Sequence, residues 1–412
     1  MASRSTPSAF ATLTRIVAAL LLILALAPAA RAQDSWPLDL EFSYFAHADI
    51  SFNNHSVAVA DFNQDGFLDV YHSGGTDDGS NRYFLGKGNG TLHDDFALPN
   101  GIGSPRGPLA LSPTQGLATA DFNGDGRKDV AGFGPSGEIA VYSWPGSAPI
   151  LGAMVAGDGR MLEAADVDRD GWVDVVYATA ATGVFYLRNM GGANLIAGGP
   201  VIAPLSLGTL AGVRVVDLND DGLLDLVVVS DIYLQAALAT APGTFAPSTL
   251  ITLAGKVLPG AFQFGDWSGD GIVDLVYHAS NLGKVIFSAG TGTGNFSTTT
   301  QSQWAISPLL SAAPLVAADF DLSPGPEFCQ LGDNLYLTAK FAPTGLAVAS
   351  GIAPGFITDA RAADMNEDGK MDLVVAGDGV ISVMLGNGDL TMGRANSFSW
   401  ALEAWGIRSR SV

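Results

Sequence analysis

Seven short acidic turns recur along this 412-residue chain, and they constrain its fold more than any other feature. They read DFNQDGFLD from Asp61, DFNGDGRKD from Asp121, DVDRDGWVD from Asp166, DLNDDGLLD from Asp217, DWSGDGIVD from Asp266, DFDLSPGPE from Asp319 and DMNEDGKMD from Asp364. Successive copies begin 60, 45, 51, 49, 53 and 45 residues apart, the period of propeller blades or solenoid repeats. The seven windows hold 24 of the 41 acidic residues, so over half of the negative charge sits in these turns. Acids that served solubility alone would be dispersed over the surface.

Short apolar stretches flank each turn. Residues 56–60, 116–120 and 213–216 precede it, and β-branched runs such as 224–229 and 371–376 follow. At four to six residues they are too short for helices and suit buried strands. A third stretch follows, as at 184–187, 285–288 and 380–385, often ending in a glycine turn such as 86–90 or 386–388. A fourth, less regular stretch leads into the next motif. Four strands per repeat of about 50 residues is the arithmetic of a propeller blade. With no helical periodicity beyond the N-terminal leader, the expected fold is all-β, a seven-bladed β-propeller of four-stranded blades. Residues 41–46 and 398–404 both read as outer strands, giving eight candidates for seven places, so one terminus is expected to complete the blade opened by the other.

The turns carry a recognisable donor set. Carboxylate or amide oxygens at positions 1, 3 and 5, a glycine at 6, a backbone carbonyl at 7 and a carboxylate at 9 can converge on one hard cation. Oxygen-only ligands in a flexible turn select calcium over zinc, copper or magnesium. An EF-hand would need glutamate at position 12, where this chain has His72, Gly132, Tyr177, Val228, Tyr277, Gln330 and Val375. A metal-free turn capped by its own aspartates is the plain alternative. Six intact copies weigh against it, because carboxylates crowded into one turn repel one another.

The pattern DxNxDGxxD between two apolar strands resembles the FG-GAP or VCBS repeat of the integrin-alpha N-terminal β-propeller superfamily, and the resemblance covers residues 33–412 as one domain. It implies that the loop joining the first two strands of each blade binds calcium on one rim. The implied side-chain ligands are Asp61, Asn63, Asp65 and Asp69; Asp121, Asn123, Asp125 and Asp129; and Asp166, Asp168, Asp170 and Asp174. They continue with Asp217, Asn219, Asp221 and Asp225; Asp266, Ser268, Asp270 and Asp274; and Asp364, Asn366, Asp368 and Asp372. Phe67, Arg127, Trp172, Leu223, Ile272 and Lys370 would lend backbone carbonyls. The sixth copy, with Asp319, Asp321, Ser323 and Glu327, departs from the pattern: serine replaces the fifth-position acid and Pro324 the glycine, so tight binding is not expected there. About six calcium ions are therefore expected. At ten times the dissociation constant each would contribute ~1.4 kcal/mol to stability.

Composition narrows the function. Twenty basic residues against 41 acids give a net charge of −21, which repels phosphate backbones and excludes a nucleic-acid partner. One cysteine, Cys329, rules out a disulfide framework or a cysteine-held metal cluster and reads as a buried free thiol. Arg4 and Arg15 precede an apolar run over 16–27, and Ala30-Arg31-Ala32 has the small-x-small form of a cleavage site, so residues 1–32 read as a signal peptide. The run is too short to span a bilayer. The mature chain is expected to be secreted or periplasmic, monomeric and without a membrane span.

The search for catalytic chemistry finds no HExxH, GxSxG or P-loop pattern. His47 and His55 flank Asp49, a pairing that loop histidines also show without any role. Trp144, Trp172, Trp267 and Trp304 could stack on sugar rings, with blade packing as the alternative. No catalytic residue is assigned. The expectation is a calcium-dependent extracellular recognition or adhesion module for a glycan or a surface protein. The alternatives are a polysaccharide lyase or hydrolase using the funnel, which needs an acid or base outside the calcium loops, and an exported structural scaffold.

Overall fold

The computed structural model describes residues 56–73, 82–93, 116–133, 138–144, 150–154, 159–179, 183–202, 209–247, 250–305, 314–323, 327–332, 334–342, 345–355, 357–377 and 380–399. The leader, the outer-strand candidate at 41–46 and the His47, Asp49 and His55 group lie outside them. Among the described residues all regular structure is β, and no helix is long and apolar enough to cross a membrane.

The strands form seven antiparallel sheets, one for each acidic turn. In each, the motif joins the first strand to the second. The first strands are Ser56–Ala60, Ala118–Ala120, Gly159–Ala165, Leu210–Val216, Val257–Gly265, Leu315–Ala318 and Asp359–Ala363. Each touches the first strand of the next sheet, and the last touches the first, so the ring closes with seven blades. Five blades have four strands; the fourth adds Ile251–Thr252, and three strands of the first are described.

The packing explains the β-branched runs. All seven second strands are buried along their whole length, from Asp69–Ser73 to Asp372–Gly377, because each blade is covered on both faces by its neighbours. A strand buried on both faces needs a continuous apolar run rather than an alternating one. The buried side chains accordingly form seven clusters, each between two successive blades. One of them joins Val57, Val70 and Leu92 of the first blade to Met365, Val374 and Ile381 of the last.

Closure is described on the side of the last blade, since residues 41–46 and 400–404 lie outside the described residues. The last blade draws all four strands from the C-terminal end of the ring, Asp359–Ala363, Asp372–Gly377, Val380–Gly386 and Met392–Ser399. Its outer strand begins six residues before the 398–404 segment, because the hairpin turns at 387–391 and pairs Gly386 with Met392. The described blades are each built from consecutive strands and are joined by side-by-side packing.

Candidate functional site

All seven acidic turns share one backbone. Position 4 is left-handed in every copy, at Gln64, Gly124, Arg169, Asp220, Gly269, Leu322 and Glu367, with φ between 56° and 78°. Position 6 is left-handed in the six intact copies, and glycine occupies each, from Gly66 to Gly369. A side chain there is strained, which is why the sequence holds glycine fixed while position 4 varies.

Side chains lock this shape. The position 1 carboxylate accepts the N–H of position 6 at 2.8–3.0 Å in all six intact loops, for example Gly66 to Asp61 and Gly369 to Asp364. Position 5 accepts the N–H of position 7 at 2.8–3.0 Å, as Phe67 to Asp65 and Lys370 to Asp368. Position 3 accepts the N–H of position 5 at Asn63, Asn123, Asp168, Asn219 and Asn366. Ser268 instead donates its own N–H to Asp274. Loop one reaches loop two through Gln64 Nε2, which donates to the Gly126 carbonyl at 2.9 Å.

Position 9 plays a part that the spacing did not reveal. Asp69, Asp129, Asp174, Asp225, Asp274, Glu327 and Asp372 are fully buried at the start of the second strands. One oxygen accepts the N–H of position 2 in six blades, as Phe62 to Asp69 at 3.1 Å and Leu218 to Asp225 at 2.9 Å. The other accepts an N–H at the end of the third strand in five blades: Gly86, Asn189, Ala239, Gly290 and Gly386. The position 9 acid thus ties the turn to the third strand, whatever else it binds. Gly86, Gly290 and Gly386 also lie so close to the position 8 carbonyl that an added Cβ would stand 2.1 Å from its oxygen. The recurring glycine at this place was the signal in the sequence.

Burial sets the charge state of these anchors. Desolvation pushes the Asp69 carboxyl up to about 7 and Asp174 up to about 6 despite their backbone hydrogen bonds. Asp129, Asp225, Asp274, Glu327 and Asp372 are raised for the same reason. A nearby cation would favour their ionised form, and the donors offered are all hard oxygens, so the intact loops fit a calcium-type ion.

Two loops bring three acid oxygens within 4.8 Å of one another and could hold a metal ion: Asp166, Asp168 and Asp174 in the third, and Asp319, Asp321 and Glu327 in the sixth. Both carry a cation on the third strand. Arg188 pairs with Asp168 and, at 2.9 Å, with Asp170. Lys340, paired in register with Glu327, lies 2.8 Å from Glu327 and 3.0 Å from Asp321. One residue past the last such pair, the other blades hold Leu85, Ser143, Leu238, Ala289 and Leu385.

The first strands of all seven blades line a central funnel of about 730 Å³, a volume typical of ligand pockets. Three residues before each motif the ring reads Ala58, Ala118, Glu163, Arg214, Gln263, Val316 and Arg361. All but Ala58 line the cavity. Arg214 bonds Glu163 at 2.9 Å and rests 4.8 Å from the Phe262 ring centroid. Arg361 bonds Asp359 at 2.6 Å. Three of the four candidate tryptophans, by contrast, serve packing. Trp144 meets Tyr83 edge-on, Trp267 is buried against Phe328, and Trp172 lies over Gly124 and Gly191. Cys329 is fully buried, which pushes its thiol far above the usual range and leaves it inert.

The FG-GAP-like repeat family matches residues 166–228 and 217–277. Among solved structures, a lectin of Agrocybe aegerita, described in its specific recognition of non-reducing terminal N-acetylglucosamine, is 21% identical with a TM-score of 0.53, over 77% of this chain and 88% of that one. BBS1N in complex with ARL6DN is 12% identical with a TM-score of 0.53, over 83% of this chain and 95% of that one. At these identities the likeness is one of fold. No curated protein matches the chain.

Proposed function

We propose that this chain, an FG-GAP-repeat β-propeller, is an exported calcium-binding recognition module whose ligand is a glycan or a surface protein. One observation carries the reading: six intact loops with oxygen-only donors adopt the same left-handed turn, each closed over a buried carboxylate. Calcium supplies the countercharge that these anchors lack. The side-chain ligands are those of positions 1, 3, 5 and 9 in the six intact copies, with the position 7 carbonyl beside them. A glycan is the first ligand class to test, because the fold is shared with a lectin and fold alone does not fix function.

The funnel is the favoured binding site. Its ring three residues before the motifs mixes alanine, glutamate, arginine, glutamine and valine, which suits one asymmetric ligand better than seven equivalent clefts. Three of the four tryptophans that could have built sugar platforms, Trp144, Trp172 and Trp267, are occupied in packing. Glu163 and Asp359 are carboxylates outside the metal loops, the feature that a lyase or hydrolase requires. Both are paired with arginine, an arrangement that presents hydrogen-bonding groups and suits binding more than proton transfer.

The test is thermal unfolding and calorimetry of the mature protein in EDTA and with calcium added back, followed by glycan arrays in both conditions. The expected result is a calcium-dependent rise in Tm with about six ions bound, and glycan binding that Glu163→Gln or Arg361→Met weakens at least tenfold. An unfolding curve indifferent to calcium would overturn the metal reading. Binding untouched by both funnel variants would move the ligand site to the rim, and turnover of a bound polysaccharide would establish the enzyme.

A further inference from the structure

The sixth turn keeps three carboxylates yet lacks the fifth-position acid and the sixth-position glycine, Ser323 and Pro324 standing in their places. Its described backbone is nonetheless that of the other loops, with Leu322 left-handed at position 4. Asp319 accepts the N–H of Leu322 at 2.7 Å, and Glu327 accepts that of Phe320 at 2.9 Å, as an intact loop does. Something other than the motif's own chemistry holds these acids together.

The Lys340 ammonium sits among them. It donates to Asp321 Oδ1 at 3.0 Å and to the Ser323 carbonyl at 3.1 Å, lies 2.8 Å from Glu327 Oε1 and also contacts Ser323 Oγ. The ammonium thereby donates to oxygens of positions 3 and 5 and is ion-paired with that of position 9, the donors that an intact loop offers to a metal. The side chain is 17% exposed and Glu327 is fully buried, so the pair is shielded from solvent. Removing one partner of such a pair strands a buried charge.

We propose that Lys340 is the resident cation of the sixth blade, so that this loop keeps its shape without divalent metal and excludes it. A divalent ion at the same oxygens would meet a fixed positive charge within about 3 Å, so metal enters only if the ammonium leaves. The third loop gives the contrast. Arg188 is 46% exposed and engages Asp168 and Asp170 from the rim, while Asp174 bonds Tyr186 and Asn189. A metal can displace such an exposed guanidinium at little cost. The comparison with the intact loops rests on the calcium reading; the ammonium's own role does not.

The experiment compares the full mature chain with Lys340→Met, Lys340→Arg and the double variant Glu327→Gln/Lys340→Met, by native mass spectrometry of bound calcium and by thermal unfolding in EDTA. The ammonium role predicts that Lys340→Met melts at least about 3 °C lower in EDTA, that the double variant recovers part of this loss, and that Asp321→Asn leaves the wild-type ion count unchanged. If Lys340→Met does not fold, recovery of folding in the double variant carries the same evidence. A wild-type chain that loses one ion on Asp321→Asn, or a Lys340→Met chain as stable in EDTA as wild type, overturns the proposal. A wild type that binds no calcium sinks the metal reading and leaves the EDTA comparison to decide the role of Lys340.

Discussion

The backbone N–H of Val57 donates to Asp359 Oδ2 at 3.0 Å across 302 residues of sequence, joining the first innermost strand of the ring to the last. Asp359 also holds Arg361 with its other oxygen, so one side chain serves both ring closure and the funnel wall. The amide of Gly90 adds a second link by donating to the Met365 carbonyl at 3.1 Å.

Replacing Asp359 with alanine should therefore cost about 2 kcal/mol, since it removes the acceptor of a closing bond and leaves Arg361 with the Ala360 carbonyl but no carboxylate. Asp359→Asn, which keeps a carbonyl oxygen, should cost less than half as much. Urea unfolding of the two variants checks the order, and equal losses would show that the bond to Val57 contributes nothing.

The blade count, the burial of the second strands and the left-handed glycines were legible because each is local: nine residues suffice to show them. The place of the last outer strand was less so, because Met392–Ser399 alternates weakly and its start depends on a hairpin turn. The double role of position 9 was hidden for a different reason. Its second partner lies on the third strand, 14 to 17 residues on, at a distance set by a hairpin of variable length. Lys340 and Arg188 escaped notice likewise, since only strand register sets Lys340 opposite Glu327 and Arg188 one residue past the last pair, Leu187 with Val175.

Within one loop, anchor and rim acids should separate cleanly. Asp225 is buried and accepts N–H bonds from Leu218 at 2.9 Å and Ala239 at 2.7 Å. Asp225→Asn turns an amide donor toward one of them and should cost about 2 kcal/mol or more even in EDTA. Asp221 is exposed, and Asp221→Asn should change stability in EDTA by under about 0.5 kcal/mol while lowering the number of calcium ions bound by one. Denaturation in EDTA paired with ion counting makes the distinction.

A steric prediction concerns the end of the third strand. An alanine at Gly386 would set its Cβ 2.1 Å from the Met371 carbonyl oxygen, backbone against backbone, and would displace the amide that bonds Asp372. Gly386→Ala should lose about 2 kcal/mol or more. Gly198→Ala, whose nearest neighbour is 3.5 Å away, should stay within about 1 kcal/mol of wild type. Thermal melts of the two variants in calcium suffice to compare them.

The last prediction separates an acid-sensitive group from the metal loops. His278 lies in the fully buried second strand of the fifth blade, and its Nδ1 has no hydrogen-bond partner among the described residues. Burial holds its pKa down to about 4, against an ordinary 6.5. Between those values the unfolded chain carries a proton at this residue that the folded chain does not, so stability falls as pH drops from 6.5 to 4 and levels off below. The full loss corresponds to ~3 kcal/mol. The anchor acids act in the opposite sense: raised by burial, Asp69 and Asp174 keep their protons in the metal-free fold and favour it as pH falls from near neutrality. The two effects partly cancel in wild type in EDTA. His278→Leu removes one of them, so its stability should match wild type within about 1 kcal/mol at pH 7 and exceed it by ~2 kcal/mol or more at pH 4.5. Urea unfolding of both proteins across that range provides the measurement, and parallel curves would mean that His278 is protonated in the fold.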